Sequence, residues 1–401
     1  MRDLVVNHKL ADCPRAFYLY SRSSTYPHPT ANLVDSLGHH IHQWANTTDQ
    51  LPAECNPPSF LKGWNHVRVD EQGNLFVIVP LRSLIKLDPF SRVVWKADIP
   101  AHHDVEFLHD GGVLTLTEDV VDIELDGQNY TILDNFLVFL DSHGGLKRRV
   151  SISALVLNDS GLRELFIAKN HERLPLGRQV WEESRDLEVG RHSRDPETKR
   201  GLLSSVRQLT GSPLDVLHAN SVMLLKRNRC GMFSEGNILI SLRNLDTILV
   251  ADLRTETVLW SHGADILSGQ HQPILLENGR ILVFDNGRDR GFSRLVEIDP
   301  QSRKITWEYR GDELSSFFSP LAGGCELLAN GNILATDAQA GRAFEVTRAG
   351  KTVWTLFVNR TPGESRPSRV AVYRVSSVTD NTVQALIAAK GAGRRQVEES
   401  A

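Results

Sequence analysis

The sequence predicts an all-β chain folded as a six-bladed β-propeller with a small helical insertion. A unit made of an apolar strand, an aspartate, a short turn and a strand ending in tryptophan recurs along the chain. Apolar hairpins built on Asn-Gly or Asp-Gly alternate with that unit. The tryptophans Trp260, Trp307 and Trp354 return 47 residues apart. Two such units give four short strands in roughly fifty residues, the strand count and length of a propeller blade.

The first unit reads LVDSLGHHIHQW over 33–44, IKLDPFSRVVW over 85–95, LVADLRTETVLW over 249–260 and LVEIDPQSRKITW over 295–307. FEVTRAGKTVW over 344–354 keeps Trp354 without the aspartate, and LVFLDSHGGLKRRV over 137–150 keeps Asp141 without the tryptophan. Its physical sense is a tight hairpin whose aspartate accepts the turn N–H groups while tryptophan docks on the neighbouring unit. The second unit appears over 67–79, 105–117, 274–284 and 326–336, and after a longer approach over 233–242. Six copies of the first unit count six blades.

Residues 1–30 read as a lead-in, 31–385 as the propeller and 386–401 as a solvated, disordered tail. Between about 159 and 212 the chain is charged and poor in strand residues. There GLRELFIAKN and KRGLLSSVRQL read as helical pieces, expected to pack on the propeller rim, with a lid or a dimerisation element as the alternatives.

The 401 residues carry a net charge of −4, which argues against a nucleic-acid partner. Cys13, Cys55, Cys230 and Cys325 are widely spaced, as reduced core thiols would be. The opening stretch MRDLVVNHKLADCPRAF has no apolar signal-peptide run, and no stretch is long and apolar enough to span a bilayer. The expectation is a cytoplasmic protein on the sequence as given, periplasmic or secreted if the true start lies upstream.

His271 precedes Gly279 of its hairpin by eight residues, His103 precedes Gly111 by eight, and His66 precedes Gly73 by seven. His218 heads the longer hairpin of its blade. Equivalent positions of successive blades ring the axis, so His103, His218 and His271 are expected to converge at one mouth of the channel. Arg243 ends the strand ISLRN, where a cation has a purpose if it binds an anion. Asn220 shares a strand face with His218, and Arg288 and Arg290 follow in FDNGRDRG.

HHDVEFL over 102–108, HANS over 218–221, ISLRN over 240–244 and GQHQP…FDNG over 269–287 occur in this order. The set resembles the bacterial arylsulfate sulfotransferases that do not use phosphoadenosine phosphosulfate, in a short form without the N-terminal β-domain. The resemblance runs from about Phe17 to about Phe357. It implies a six-bladed propeller that moves a sulfuryl group from an aryl sulfate donor to a phenolic acceptor in two steps, without a required cofactor or metal. His271 then falls on the nucleophile, with His103, His218 and Arg243 as the other catalytic residues and Asn220, Arg288 and Arg290 as substrate contacts. A neutral imidazole attacks sulfur and expels phenolate. Donors such as Arg243 stabilise charge on the sulfuryl oxygens, each worth roughly 3–4 kcal/mol of barrier.

Two other readings stay open on the sequence. HHDVE over 102–106 and HHIH over 39–42 offer metal-ligand types for a hydrolase on a propeller. In a regular strand, however, His102 and His103 point to opposite faces. A propeller also serves as a non-catalytic scaffold for peptides or proteins.

Overall fold

A computed structural model describes residues 4–7, 16–22, 29–46, 64–187, 212–358 and 371–399. Its six antiparallel sheets are the blades of a β-propeller. Blade 1 orders Val372–Val378, Phe17–Arg22, Thr30–Asp35 and His40–Ala45. Blade 2 is Val67–Val69, Leu75–Val79, Ser83–Leu87 and Val93–Ala97; blade 3 is Ala101–Phe107, Val113–Leu125, Gln128–Leu140 and Leu146–Ser151. Blade 4 is Ala219–Leu224, Ile238–Leu242, Thr247–Asp252 and Thr257–His262; blade 5 is His271–Leu275, Ile281–Asp285, Arg294–Ile298 and Ile305–Tyr309. Blade 6 is Gly324–Leu327, Ile333–Asp337, Arg342–Val346 and Thr352–Phe357, with Leu4–Asn7 added along its outer edge.

The recurring aspartate does what its position requires. Asp35 Oδ1 accepts the N–H groups of Leu37 and His39, Asp88 Oδ1 those of Phe90 and Arg92, and Asp141 Oδ1 those of His143 and Gly145. Each turn is thereby closed from within by one side chain.

The tryptophans tie each blade to the next. Trp260 donates from Nε1 to Pro300 O, Trp307 to Arg348 O and Trp354 to Ser36 O, at 3.1, 2.9 and 2.8 Å. Trp95 lies over Gly144 of blade 3, where a Cβ would come within 2.8 Å of its ring and where φ is +83°. Only glycine meets both conditions. In blade 3, which lacks the tryptophan, Arg148 takes the place: its Nη2 donates to Leu253 O at 2.6 Å, in the turn of blade 4. The blade 1 to blade 2 contact runs from Ala45 N to Ser91 Oγ. Between the blades lie apolar clusters, such as Leu239, Val250, Ile281 and Val296 between blades 4 and 5.

Several boundaries differ from expectation. The sheets begin at Leu4 and Phe17, not at 31, because the N-terminal strands close the ring on blades 6 and 1. The expected disordered tail forms instead the helix α4, Asp380–Glu399, whose Val383 and Leu386 join the core under blades 1 and 2. The described part of the insertion holds three helices, α1 (Ile152–Asn158), α2 (Ser160–Asn170) and α3 (Leu174–Leu187), and so starts before 159. Ser151 and Asp159 cap α1 and α2 through their side-chain oxygens. Leu155, Val156, Leu162 and Phe166 sink into the core between blades 3 and 4, so the described part of the insertion is packed on the propeller. The second expected helical piece, KRGLLSSVRQL, lies outside the described residues. No helix among the described residues is long and apolar enough to cross a membrane.

Candidate active site

The innermost strands of the blades are not regular, and their irregularities fall at the polar residues. Pairing registers break at 103–104 in blade 3, at 220 in blade 4, at 272–273 in blade 5 and at 373–374 in blade 1. His103, His218 and Gln272 have φ of +62°, +50° and +43°. A bulge re-aims a side chain, and a left-handed non-glycine residue costs about 1–3 kcal/mol that surrounding structure must offset. Backbone irregularity therefore turns toward the axis side chains that a regular pleat would split between two faces. His102 and His103 are the clearest case: their Nδ1 atoms lie 2.6 Å apart, against the expectation from strand alternation.

His271 is fully buried. Its Nδ1 lies 2.8 Å from Asn286 Oδ1 and 3.1 Å from Gly269 O, both acceptors, so the proton sits on Nδ1. Asn286 is itself fixed, because its Nδ2 donates to Ser319 O and Ala322 O at 2.6 and 2.9 Å. Nε2 of His271 is left with a lone pair and no partner among the described residues. Burial, then the positive charge of Arg243, hold this imidazole well below the usual histidine range, with smaller contributions from His218 and Arg374. It is a neutral, oriented, unprotonated nitrogen at neutral pH.

His218 Nδ1 hydrogen-bonds Asp215 Oδ2. The insertion and the blade 4 turn hold that segment in place: Arg173 Nη1 of the insertion and Asn244 Nδ2 of the turn both donate to Asp215 O, and Asn170 Nδ2 of the insertion donates to Val216 O. Arg243 follows the second strand of blade 4 at a short 3-10 turn, with its N–H on His218 O at 3.2 Å. The His103 ring centre lies 5.1 Å from that of His218 and 5.8 Å from that of Tyr373. Ring contact thus joins His103 of blade 3 to His218 of blade 4, and Arg243 and His218 bear electrostatically on His271 of blade 5.

The expected substrate contacts are placed differently. Asn220 spends an amide N–H on Gln270 O at 2.8 Å and joins blades 4 and 5. Arg290 is paired with the buried Asp285 at 2.7 Å, beside Arg294, and serves the fold of that loop. Arg288 is exposed, with its side chain over Gly269, two residues from His271.

Three features escape the sequence reading. Asn286, within the FDNG stretch, sets the tautomer of His271. Tyr373 and Arg374 come from the closing strand of blade 1, which has neither a histidine nor an Asn-Gly hairpin to signal it. Asp104 forms a buried cluster with Arg374 Nη1 at 3.0 Å and His66 Nε2 at 3.4 Å. Burial alone would raise the Asp104 carboxyl; Arg374 and His66 override it and hold it below the carboxylate range. Burial, reinforced by Arg374, pushes His66 down to about 4. As for the second histidine run, His39 bonds Asp35 and His42 packs edge-on against Trp44, at 4.2 Å between ring centres.

Residues 82–360 match the family model described as Arylsulfotransferase (ASST). No curated protein matches the sequence. Among solved structures, a protein of unknown function from Bacteroides caccae is 12% identical with a TM-score of 0.49, over 92% of this chain and 100% of that one. Inactive virginiamycin B lyase from Staphylococcus aureus, solved with quinupristin, is 8% identical with a TM-score of 0.42, over 88% and 87%. Apo AztD from Citrobacter koseri is 9% identical with a TM-score of 0.39, over 91% and 99%. Likenesses that loose carry no argument about function.

Proposed function

This chain belongs to the arylsulfotransferase family, and on that premise we propose that it moves a sulfuryl group from an aryl sulfate to a phenolic acceptor through a covalent sulfohistidine on His271. The observation that carries the reading is the state of His271: Nδ1–H is held by Asn286 Oδ1 at 2.8 Å while the buried Nε2 keeps its lone pair.

In the first step Nε2 attacks sulfur, the N–S bond forms and the S–O bond to the aryl group breaks. The leaving phenolate takes a proton from His103 or His218, the histidines of blades 3 and 4. In the second step the same histidine removes the proton of the acceptor phenol, whose oxygen attacks sulfur and releases Nε2. Arg243 meets the charge that builds on the three sulfuryl oxygens, preorganised by its place at the strand end. Because Nδ1–H stays bonded to Asn286, the positive charge that arises on the sulfated ring is delocalised toward a fixed acceptor.

Incubation with nitrophenyl sulfate alone, followed by intact mass and peptide mapping, tests the proposal. A single sulfuryl group on His271, discharged by added phenol, is the expected result. An unmodified protein at mildly alkaline pH, or label elsewhere, would overturn it.

A further inference from the structure

Arg374 is 4% exposed and uses only part of its guanidinium. Nη1 faces Asp104 and His66, whereas Nε and Nη2 have no partner among the described residues. Those two N–H groups form the side-on edge of the guanidinium, the edge that meets an oxyanion with two parallel hydrogen bonds. Arg374 lines an axial cavity of about 320 Å³, together with Gln272, Ser221 and Ser376, whose side chains add an amide and two hydroxyls. A cavity of that size accommodates a small ion with water.

The three acids that line the cavity are each engaged by other groups, Glu106 by Arg68 Nη1 at 2.8 Å. Asp104 is occupied by Arg374 Nη1 and by Val222 N–H, at 3.0 and 3.2 Å. Glu326 takes a hydrogen bond from Ser377 N–H at 3.0 Å and another from its hydroxyl. Burial raises the Glu326 carboxyl above its ordinary value, which favours its neutral form. A buried cation edge with no partner is costly, and a bound anion removes that cost.

We propose that the axial cavity beside Arg374 is a second binding site, separate from the sulfuryl-transfer site at His271, that takes a small tetrahedral oxyanion of the sulfate or phosphate class. The site stands on Arg374 and does not depend on the reaction assigned to His271.

The test is calorimetric titration of the full chain with sodium sulfate and, separately, sodium phosphate, against sodium chloride at matched ionic strength. Wild type is expected to bind one oxyanion at this site. Arg374→Lys keeps the charge beside Asp104 but loses the fork, and weakens binding by roughly 10-fold or more. Gln272→Ala and Ser221→Ala provide milder losses should Arg374→Lys fail to fold. Crystals grown with selenate then locate the ion, expected within hydrogen-bond distance of Arg374 Nε and Nη2. Binding that is lost in Arg243→Gln and kept in Arg374→Lys, a selenate peak confined to His271 and Arg243, or no binding beyond chloride would each overturn the proposal. Binding with no sulfohistidine would sustain this site while removing the reading of His271.

Discussion

Arg374 Nη1 lies 3.0 Å from Asp104 Oδ1, joining two residues 270 positions apart, each 4% exposed. The pair links the closing strand of blade 1 to the bulge of blade 3, and Asp104 reaches on to Val222 N–H in blade 4. Removing one partner strands a buried charge. Arg374→Ala is therefore expected to destabilise the protein by about 3–5 kcal/mol, while the double variant Arg374→Met, Asp104→Leu recovers most of that loss. Urea unfolding at neutral pH measures both, and a loss below about 1 kcal/mol in the single variant would refute the role.

The same cluster makes stability depend on pH. His66 is held at about 4 in the folded state against 6.5 for an ordinary histidine, so below 6.5 the unfolded chain binds a proton that the folded one refuses. Stability is then fully present above pH 6.5 and falls as pH drops toward 4, by roughly 3 kcal/mol from this group. Depressed Asp104 adds a further loss only below the ordinary carboxylate range. Unfolding free energies between pH 7.5 and 4 should slope downward, and the slope should be shallower in His66→Gln.

In the proposed reaction Asn286 acts through His271, as a positioning residue. In Asn286→Ala the Nδ1 proton keeps only the longer contact to Gly269 O, and the tautomer with the proton on Nε2, the attacking atom, gains population. A drop in kcat of roughly 10²–10⁴-fold with little change in KM is expected, the scale seen when an imidazole tautomer is released. Release of nitrophenol in the presence of an acceptor phenol gives both constants. An equal rise in KM with kcat preserved would assign Asn286 to substrate binding instead.

Because burial and Arg243 hold His271 well below the usual histidine range, it remains neutral in mild acid. Sulfuryl labelling by donor alone should thus reach completion at pH 6, where an ordinary imidazole is mostly protonated. Extent of labelling read by intact mass decides; a decline centred near 6.5 would mean that His271 titrates as an exposed residue.

Trp354, fully buried, and Arg148, whose side chain is 42% exposed, do the same job between different blades. Their deletions should not cost the same. Trp354→Ala opens a large cavity and is expected to cost about 3–5 kcal/mol, whereas Arg148→Ala loses a half-exposed hydrogen bond worth about 1 kcal/mol or less. Chemical denaturation of the two variants provides the comparison.

The propeller was legible because its rules are local. An aspartate that closes a turn and a tryptophan that reaches the next turn leave the same mark in most blades, and Asn-Gly marks the hairpins. Blade 3 shows how the rule bends: Arg148 reaches Leu253 O where other blades use an indole. What stayed hidden depends on distant pairing. The strand Val372–Val378 finds its partner in Phe17–Arg22, and no local pattern announces a partner so remote. Bulges are equally silent, since a break in register belongs to two strands at once. This is why His102 and His103 read as opposed and prove to touch. Histidine phase pointed to His103 and His218, whose rings meet at 5.1 Å, but not to Tyr373 and Arg374, nor to what orients His271, because Asn286 lies fifteen positions away.

Arg374 and Tyr373 ride on a strand that leaves the ribosome after the inner strands of the other five blades. Until it docks, Asp104 has no guanidinium beside it, the ring has a gap, and His103 lacks one of its aromatic neighbours. A nascent chain thus holds every histidine of the site well before it holds the cluster that braces them. A chain interrupted before residue 372 carries His271 and its hairpin, but lacks the inner strand of blade 1 and so has no closed ring around them.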